Sequence, residues 1–291
     1  VADGRLGSVV IPAHDEAGVI ERCLTTLLAD VPAGELDVVV VCNGCTDDTA
    51  RVARATGLPV QVVEIAEASK IASLRAGDAR VQAFPRLYLD ADVRLPSRPA
   101  LAVLRRLSQD DVLAARPPLR YDLSGCSWLV RRYHAARVLI PGILDRLWGA
   151  GVYGLSRDGR ARFGDWPDLT GDDLFVDSLF GDDEIEVVPT DPVLVSPPRT
   201  ARDLLAVLRR GARAKTSEQR GQDAEGRPLA LRYSLSTTLG GLLEIGARRP
   251  QMLVNVVVYA GFAICGRFLR TGNRSAAWER DCSSRVAESR G

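Results

Sequence analysis

Over the first hundred positions, short runs of aliphatic and β-branched residues alternate with stretches whose apolar positions recur at helical spacing. Ser8 to Ile11 is an apolar run expected to end at Pro12, as a buried parallel strand would. Val19 to Leu28 sets Ile20, Cys23, Leu24, Leu27 and Leu28 on one side of a helix. Val38 to Cys42 predicts a second strand. Thr46 is placed to cap a helix running through Thr49, Val52 and Ala53. Val60 to Ile65 predicts a third strand, Ser69 to Arg80 a helix, and Arg86 to Leu89 a fourth strand. Strands of buried composition alternating with helices imply an α/β fold with a mostly parallel sheet flanked by helices.

Further on the rhythm changes. Residues 116–165 mix aromatics, glycines and arginines, with helical pieces expected around Trp128 to Leu147. Residues 185–188 read as a strand. Thr200 to Arg213 reads as an amphipathic helix through Leu204, Leu205, Val207 and Leu208. Gly211 to Arg227 reads as a polar loop, with two more helices after it. The expected division is an α/β domain over 1–195, in two halves (1–115 and 116–195), then a helical extension over 196–291.

Composition narrows the class. Lys and Arg total 38 against 37 Asp and Glu, in 291 residues. This near balance argues against a nucleic-acid partner held by bulk charge. Six scattered cysteines suit a reducing compartment and a cytoplasmic location. Val1 to Gly7 is short and polar, so no signal peptide is expected. The absence of an initiating Met suggests a trimmed sequence.

Ligands of open α/β sheets bind beyond the carboxyl ends of the strands. Pro12, Ala13, His14, Asp15 and Glu16 follow the first predicted strand, Asn43 to Asp48 the second, and Asp90, Ala91 and Asp92 the fourth. A bare Asp-x-Asp is usually a solvated acidic turn. Leaving an apolar strand, its two carboxylates can instead aim at one Mg²⁺ or Mn²⁺, hard ions that prefer oxygen and share their shell with substrate phosphates.

Four segments in order, VVIPAHDE, VVVVCNGCTDDTA, the Ser69-Lys70 helix ending Ala76-Gly77-Asp78, and LYLDADV, resemble family 2 glycosyltransferases of GT-A fold over about the first 190 residues. The resemblance implies an enzyme that moves a sugar from a nucleotide-sugar to an acceptor hydroxyl with Mg²⁺ or Mn²⁺, in glycan, glycolipid or cell-envelope synthesis. It gives Asp92 the role of metal ligand and turns Asp90 toward the ribose or the metal's water shell, with Ala91 between them in the donor site. Pro12, Ala13, His14 and Glu16 fall where the family holds the nucleoside. Asn43 stands where many members carry an Asp that accepts the uracil N–H, which leaves a UDP donor less secure. Lys70 matches a basic position near the donor phosphates.

The second acidic cluster, Thr170-Gly171-Asp172-Asp173-Leu174-Phe175, resembles the family's Glu-Asp element. On that likeness Asp173 is the catalytic base, and Asp172 replaces the usual Glu. A single displacement inverts the anomeric centre. Read without the family, an acid pair at a helix start simply favours the dipole. The glycine-rich stretch from Gly149 to Arg157 suits either close approach to a donor sugar or tight packing.

His14 and His134 lack ligand-like spacing, so no zinc site is expected. Cys42-Asn43-Gly44-Cys45 has thiol-redox spacing but falls in the nucleotide-binding turn. Met252 to Gly266 is almost wholly apolar, flanked by Arg248, Arg249, Arg267 and Arg270. It is expected as a buried helix, as a helix on a membrane surface suiting a lipid-linked acceptor, or as a span. The competing functions are a sugar-phosphate nucleotidylyltransferase, whose glycine-rich basic loop is missing after the first strand, and a non-catalytic nucleotide-sugar binding protein.

Overall fold

The computed structural model describes residues 4–109, 111–168, 171–218 and 235–268. In chain order the elements begin β1 (Gly7–Ala13), α1 (Ile20–Leu28), β2 (Leu36–Asn43), α2 (Thr49–Ala55), β3 (Val60–Ile65), α3 (Lys70–Asp78), β4 (Arg86–Leu89) and α4 (Ser97–Leu107). Next come β5 (Ala114–Arg116), β6 (Leu119–Tyr121), α5 (Trp128–Arg137), β7 (Val152–Leu155), α6 (Arg157–Arg160) and α7 (Asp172–Ser178). β8 (Ile185–Val187), β9 (Val193–Val195), α8 (Ala201–Glu218), α9 (Leu235–Arg248) and α10 (Leu253–Phe268) complete the order.

Seven strands form one sheet in the order β3-β2-β1-β4-β7-β5-β8, and β6 pairs with β9. β1, β2, β3 and β4 run parallel, β7 is antiparallel to both β4 and β5, and β8 is parallel to β5. This is the mostly parallel, helix-flanked sheet expected, with a C-terminal helical extension. β2 is buried along its whole length, so Val38 to Val41 form a continuous apolar run with no polar alternation. α1 buries Ile20, Cys23, Leu24 and Leu27, one stripe at helical spacing.

Three local expectations are corrected. β1 runs through Pro12 to Ala13, in register with Val41 and Cys42 of β2. β4 pairs only with Ser8 to Val10, so at Pro12 one neighbour has already gone and a missing N–H is tolerated. Thr46 does not cap α2: its N–H and hydroxyl turn to Asp15, while Asp47 Oδ1 accepts the Thr49 N–H at 3.0 Å. The helix expected to give way to a loop at Gly211 continues to Glu218. The remainder of that loop, to Arg227, lies outside the described residues. Of the helical pieces around Trp128 to Leu147, Trp128–Arg137 is α-helical and the rest forms turns.

The chain divides into two compact units. One holds the seven-stranded sheet, with residues up to Arg120 and Asp145–Leu194. The other takes Tyr121–Leu144 together with the described residues from Val195 onward. Within this second unit Tyr133 of α5 stacks on Tyr259 of α10 at 4.8 Å between ring centroids, with Phe262 edge-on at 5.6 Å. α10 buries Tyr259 and Asn255 but leaves Leu253, Val254, Val257 and Ile264 exposed, as α9 leaves Leu239 and Leu243. Among the described residues no helix is long and apolar enough to cross a membrane.

Candidate active site

Ser69 caps α3 by accepting the Ala72 N–H at 3.2 Å, which fixes Lys70 in the first turn. The Lys70 ammonium lies 2.7 Å from Asp90 Oδ1 and 2.8 Å from Asp172 Oδ1. Asp90 follows the last residue of β4, and Asp172 opens α7. Tyr153 on β7 donates its hydroxyl to the other oxygen of Asp172 at 2.8 Å. Both oxygens of this buried carboxylate are therefore held. Asp173 accepts the Gly149 N–H at 3.1 Å and the Leu174 N–H at 2.9 Å. Pro12, Lys70, Asp90, Gly151, Tyr153, Asp172 and Asp173 line one small pocket.

The backbone is shaped around it. Asp90 donates its N–H to the Gly151 carbonyl at 2.8 Å. Gly151 has φ +66°, and a Cβ there would sit 2.5 Å from Val93 Cγ2 and 3.4 Å from Asp90 Oδ2. Only glycine fits both the left-handed conformation and the space. Asp78, at the end of α3, accepts from Tyr88 Oη at 2.9 Å, Arg160 Nε at 2.9 Å and Trp166 Nε1 at 2.8 Å, and pairs with Arg86. This buried hub ties α3 and β4 to the segment leading toward α7.

Burial and charge in this cluster shift the protonation of Asp90, Asp173 and Lys70. Burial pushes Asp90 up to about 6, against the pull of Lys70 and with added push from Asp172 and Asp92. Burial, then Asp172, also raises Asp173. Burial alone would lower Lys70, but Asp172 and Asp90 outweigh it and hold its proton more tightly than usual.

At the ends of β1 and β2 lies a second group of expected residues. Ala13, His14, Glu16 and Asn43 are all buried. His14 Nδ1 donates to the Asn43 carbonyl at 2.6 Å, since a carbonyl only accepts. Asn43 Nδ2 donates to the Ala13 carbonyl at 2.9 Å, and Asn43 Oδ1 is buried with no hydrogen-bond partner. The Glu16 N–H reaches Thr49 Oγ1 at 2.7 Å. Asp15 has φ +50°, held there as its carboxylate accepts the Thr46 N–H at 2.6 Å.

Asp92 is exposed, while Ala91 beside it is buried. Both Asp90 and Asp92 offer hard oxygen donors of the kind that fits Mg²⁺ or Mn²⁺, and of the two it is Asp90 that lines the pocket. The structure thus brings Pro12, Lys70, Asp90, Asp172 and Asp173 around one pocket. The sequence reading missed Tyr153 and Asp78. Tyr153 lies in a stretch whose glycines carry the sequence signal, and Asp78 stands at the end of the Ala76-Gly77-Asp78 segment.

Residues 8–148 match the family model described as Glycosyl transferase family 2. No curated protein matches the chain. Among solved structures, a mannosyltransferase from Pyrobaculum calidifontis, in complex with GDP-Man and Mn²⁺, aligns with TM-score 0.59 and 19% identity. The alignment covers 88% of this chain and 86% of that one. Glucosyl-3-phosphoglycerate synthase from Mycobacterium tuberculosis, with Mn²⁺, UDP and glucosyl-3-phosphoglycerate, aligns with TM-score 0.48 and 19% identity over 89% and 81%. The fold is GT-A.

Proposed function

Proceeding from residues 8–148 as a glycosyl transferase family 2 segment, we propose that this protein is a metal-dependent, inverting glycosyltransferase. It moves a sugar from a nucleotide-sugar to an acceptor hydroxyl. The observation that carries the reading is the meeting of Lys70, Asp90, Asp172 and Asp173 in one pocket at the strand ends. That is where a sheet of this kind takes its ligands.

Asp172 and Asp173, the first two residues of α7, have different surroundings, and this divides their roles. Asp172 is held by Lys70 and Tyr153, so it is a positioning residue. Asp173 accepts the backbone N–H groups of Gly149 and Leu174 and has a raised affinity for protons, which suits a base. Asp173 takes the acceptor's proton as the acceptor oxygen bonds to the anomeric carbon. The bond from that carbon to the diphosphate oxygen breaks, and its electron pair leaves with the nucleoside diphosphate. Attack opposite the leaving group inverts the centre.

Asp92 would hold the divalent ion, with Asp90 toward the ribose or the ion's waters. Bound there, Mg²⁺ or Mn²⁺ supplies charge stabilisation to the departing diphosphate. The Mn²⁺ in the mannosyltransferase of like fold supports an ion of this class. Lys70 orders the carboxylates and adds positive charge near the phosphates. The unpartnered Asn43 Oδ1, with Pro12, Ala13, His14 and Glu16, suits the nucleoside.

The test is product analysis with GDP-, UDP- and dTDP-sugars, a panel of acceptors and Mn²⁺. Release of a nucleoside diphosphate, dependent on Mn²⁺ and lost in Asp92→Ala, supports the reading. Donor binding without any release points to a binding protein, and pyrophosphate formation from a sugar phosphate points to a nucleotidylyltransferase.

The exposed apolar side chains of α9 and α10, with exposed Arg248 and Arg249 between the helices, support peripheral contact with an anionic membrane and hence a lipid-linked acceptor. Co-sedimentation with anionic but not neutral liposomes is the expected result. Failure to sediment with either removes the membrane from the reading.

A further inference from the structure

His14, Asp15 and Cys45 each present one ligating atom, all within 4.8 Å of one another. Two are neighbours in the loop after β1, and the third belongs to the turn after β2. We propose that this trio is a second cation site, one for a borderline-soft divalent ion such as Zn²⁺, distinct in place and chemistry from the carboxylate cluster at Asp90 and Asp92.

The supporting geometry is in the hydrogen bonds. His14 Nδ1 donates to the Asn43 carbonyl, so its neutral ring carries the lone pair on Nε2. Zinc-bound histidines are commonly oriented by this bond from the other nitrogen. His14 Nε2 lies 4.0 Å from Asp15 Oδ2, and both side chains are only 11% exposed. The Asp15 carboxylate is in turn fixed by the Thr46 N–H and hydroxyl. The Asp15 N–H points at Cys45 Sγ at 3.4 Å, which fixes the sulfur beside the loop after β1. Cys45 Sγ itself donates to the Ala13 carbonyl at 3.5 Å, a bond given up when the thiol loses its proton.

Ligand atoms around tetrahedral zinc stand roughly 3.5 Å apart, from bond lengths of about 2.0–2.3 Å. The trio's atoms, within 4.8 Å of one another, stand near that spacing. Nitrogen, sulfur and oxygen ligands leave a fourth position for water or substrate. Binding releases the Cys45 proton to solvent and ties the two loops together.

Co²⁺ is the probe, added alone to the full-length reduced protein. The expected result is a thiolate-to-cobalt charge-transfer band with tetrahedral d–d absorption, displaced by Zn²⁺. Cys45→Ser should abolish the charge-transfer band, and His14→Gln should weaken Co²⁺ binding by about tenfold or more. Asp92→Ala should leave the band intact. Absence of the band in the parent protein, its survival in Cys45→Ser, or its loss in Asp92→Ala each overturns the proposal. Because no nucleotide is present, the outcome is independent of the glycosyltransferase reading.

Discussion

The Lys70 ammonium stands 2.8 Å from Asp172, joining the first turn of α3 to the first turn of α7 through a carboxylate that is only 4% exposed. Asp172 opens its helix directly after Gly171, at φ +117°, with no side-chain cap. The ion pair and the Tyr153 hydroxyl therefore carry much of the task of seating this turn.

Removing Lys70 should cost more than an ordinary surface change. Lys70→Met leaves Asp172 buried beside a lone phenol. Breaking a buried pair on one side typically costs about 3–5 kcal/mol. Lys70 is 27% exposed, so water can partly replace it, and about 2–3 kcal/mol is expected. Urea unfolding measures it, and adding Asp172→Asn should recover part of the loss. A Lys70→Met protein as stable as the parent would show that the pair does not support the fold.

Gly151→Ala should damage the site through the backbone. The left-handed conformation costs a non-glycine residue roughly 1–2 kcal/mol. Crowding against Val93 adds about 1–3 kcal/mol unless β4 shifts. Since the Gly151 carbonyl accepts the Asp90 N–H, any such shift moves Asp90. Lower stability together with weaker metal-dependent donor affinity is expected. Unchanged donor affinity in a folded variant would separate Gly151 from the site.

The four parallel strands were legible from β-branched runs: Val38–Val41 is unbroken, as a buried strand requires, while Val60–Ile65 at the sheet edge keeps its valines but admits Gln61 and Glu64. Helix α1 was legible from its single apolar stripe. What stayed hidden depends on groups far apart in sequence. Nothing near Pro12 says that β4 stops pairing at Val10. Nothing near Thr46 says that Asp15 will take its N–H. The division between Asp172 and Asp173 comes from Lys70 and Tyr153, and Tyr153 carries no motif. The segment Tyr121–Leu144 groups with the C-terminal helices through aromatic stacking of Tyr133 on Tyr259, a contact that periodicity cannot express.

His134 should make the protein acid-sensitive. Burial, and then nearby Arg137, push it down to about 3, and neither ring nitrogen has a hydrogen-bond partner. The folded state thus binds a neutral ring, while the unfolded chain takes up a proton near pH 6.5. The contribution is fully present above about pH 6.5 and is lost as the pH falls toward 3, at about 1.4 kcal/mol per unit. Between pH 7 and pH 5 about 2 kcal/mol should go. His134→Phe, which keeps a ring beside Tyr121 and Tyr133, should flatten that part of the curve in urea unfolding. An equal slope in both proteins would assign the acid sensitivity elsewhere.

Asn43 is fully buried and uses both ends of its amide differently: Nδ2 serves the Ala13 carbonyl, and Oδ1 has no protein partner. Asn43→Ala should therefore weaken free nucleotide and nucleotide-sugar alike, by on the order of 1 kcal/mol for one lost hydrogen bond. Asn43→Asp should be worse for the fold, because aspartate cannot donate to Ala13 and adds a buried charge. Calorimetric titration with GDP, UDP and dTDP reads the first effect. If every nucleotide binds Asn43→Ala as it binds the parent, Asn43 does not touch the base.

Asp173→Asn keeps the size of the side chain and, through its amide oxygen, one of the two backbone hydrogen bonds that the carboxylate accepts on separate oxygens, yet it can no longer take a proton. Donor and metal should bind as before, since their proposed contacts come from Asp90, Asp92 and the loops after β1 and β2. Transfer should fall by roughly two to four orders of magnitude, the usual weight of general base catalysis. Asp172→Asn alters a different function. It weakens the pairing with Lys70 and should lower stability, with a smaller loss of transfer that appears in KM as well as kcat. The raised proton affinity of Asp173 predicts that transfer by the parent rises with pH across the acidic range, as Asp173 gives up its proton. That limb should vanish from the residual rate of Asp173→Asn and persist in Asp172→Asn. If Asp172→Asn is instead the inactive variant and loses the limb, the base is Asp172, and the Lys70 pair is part of how it is held for the reaction.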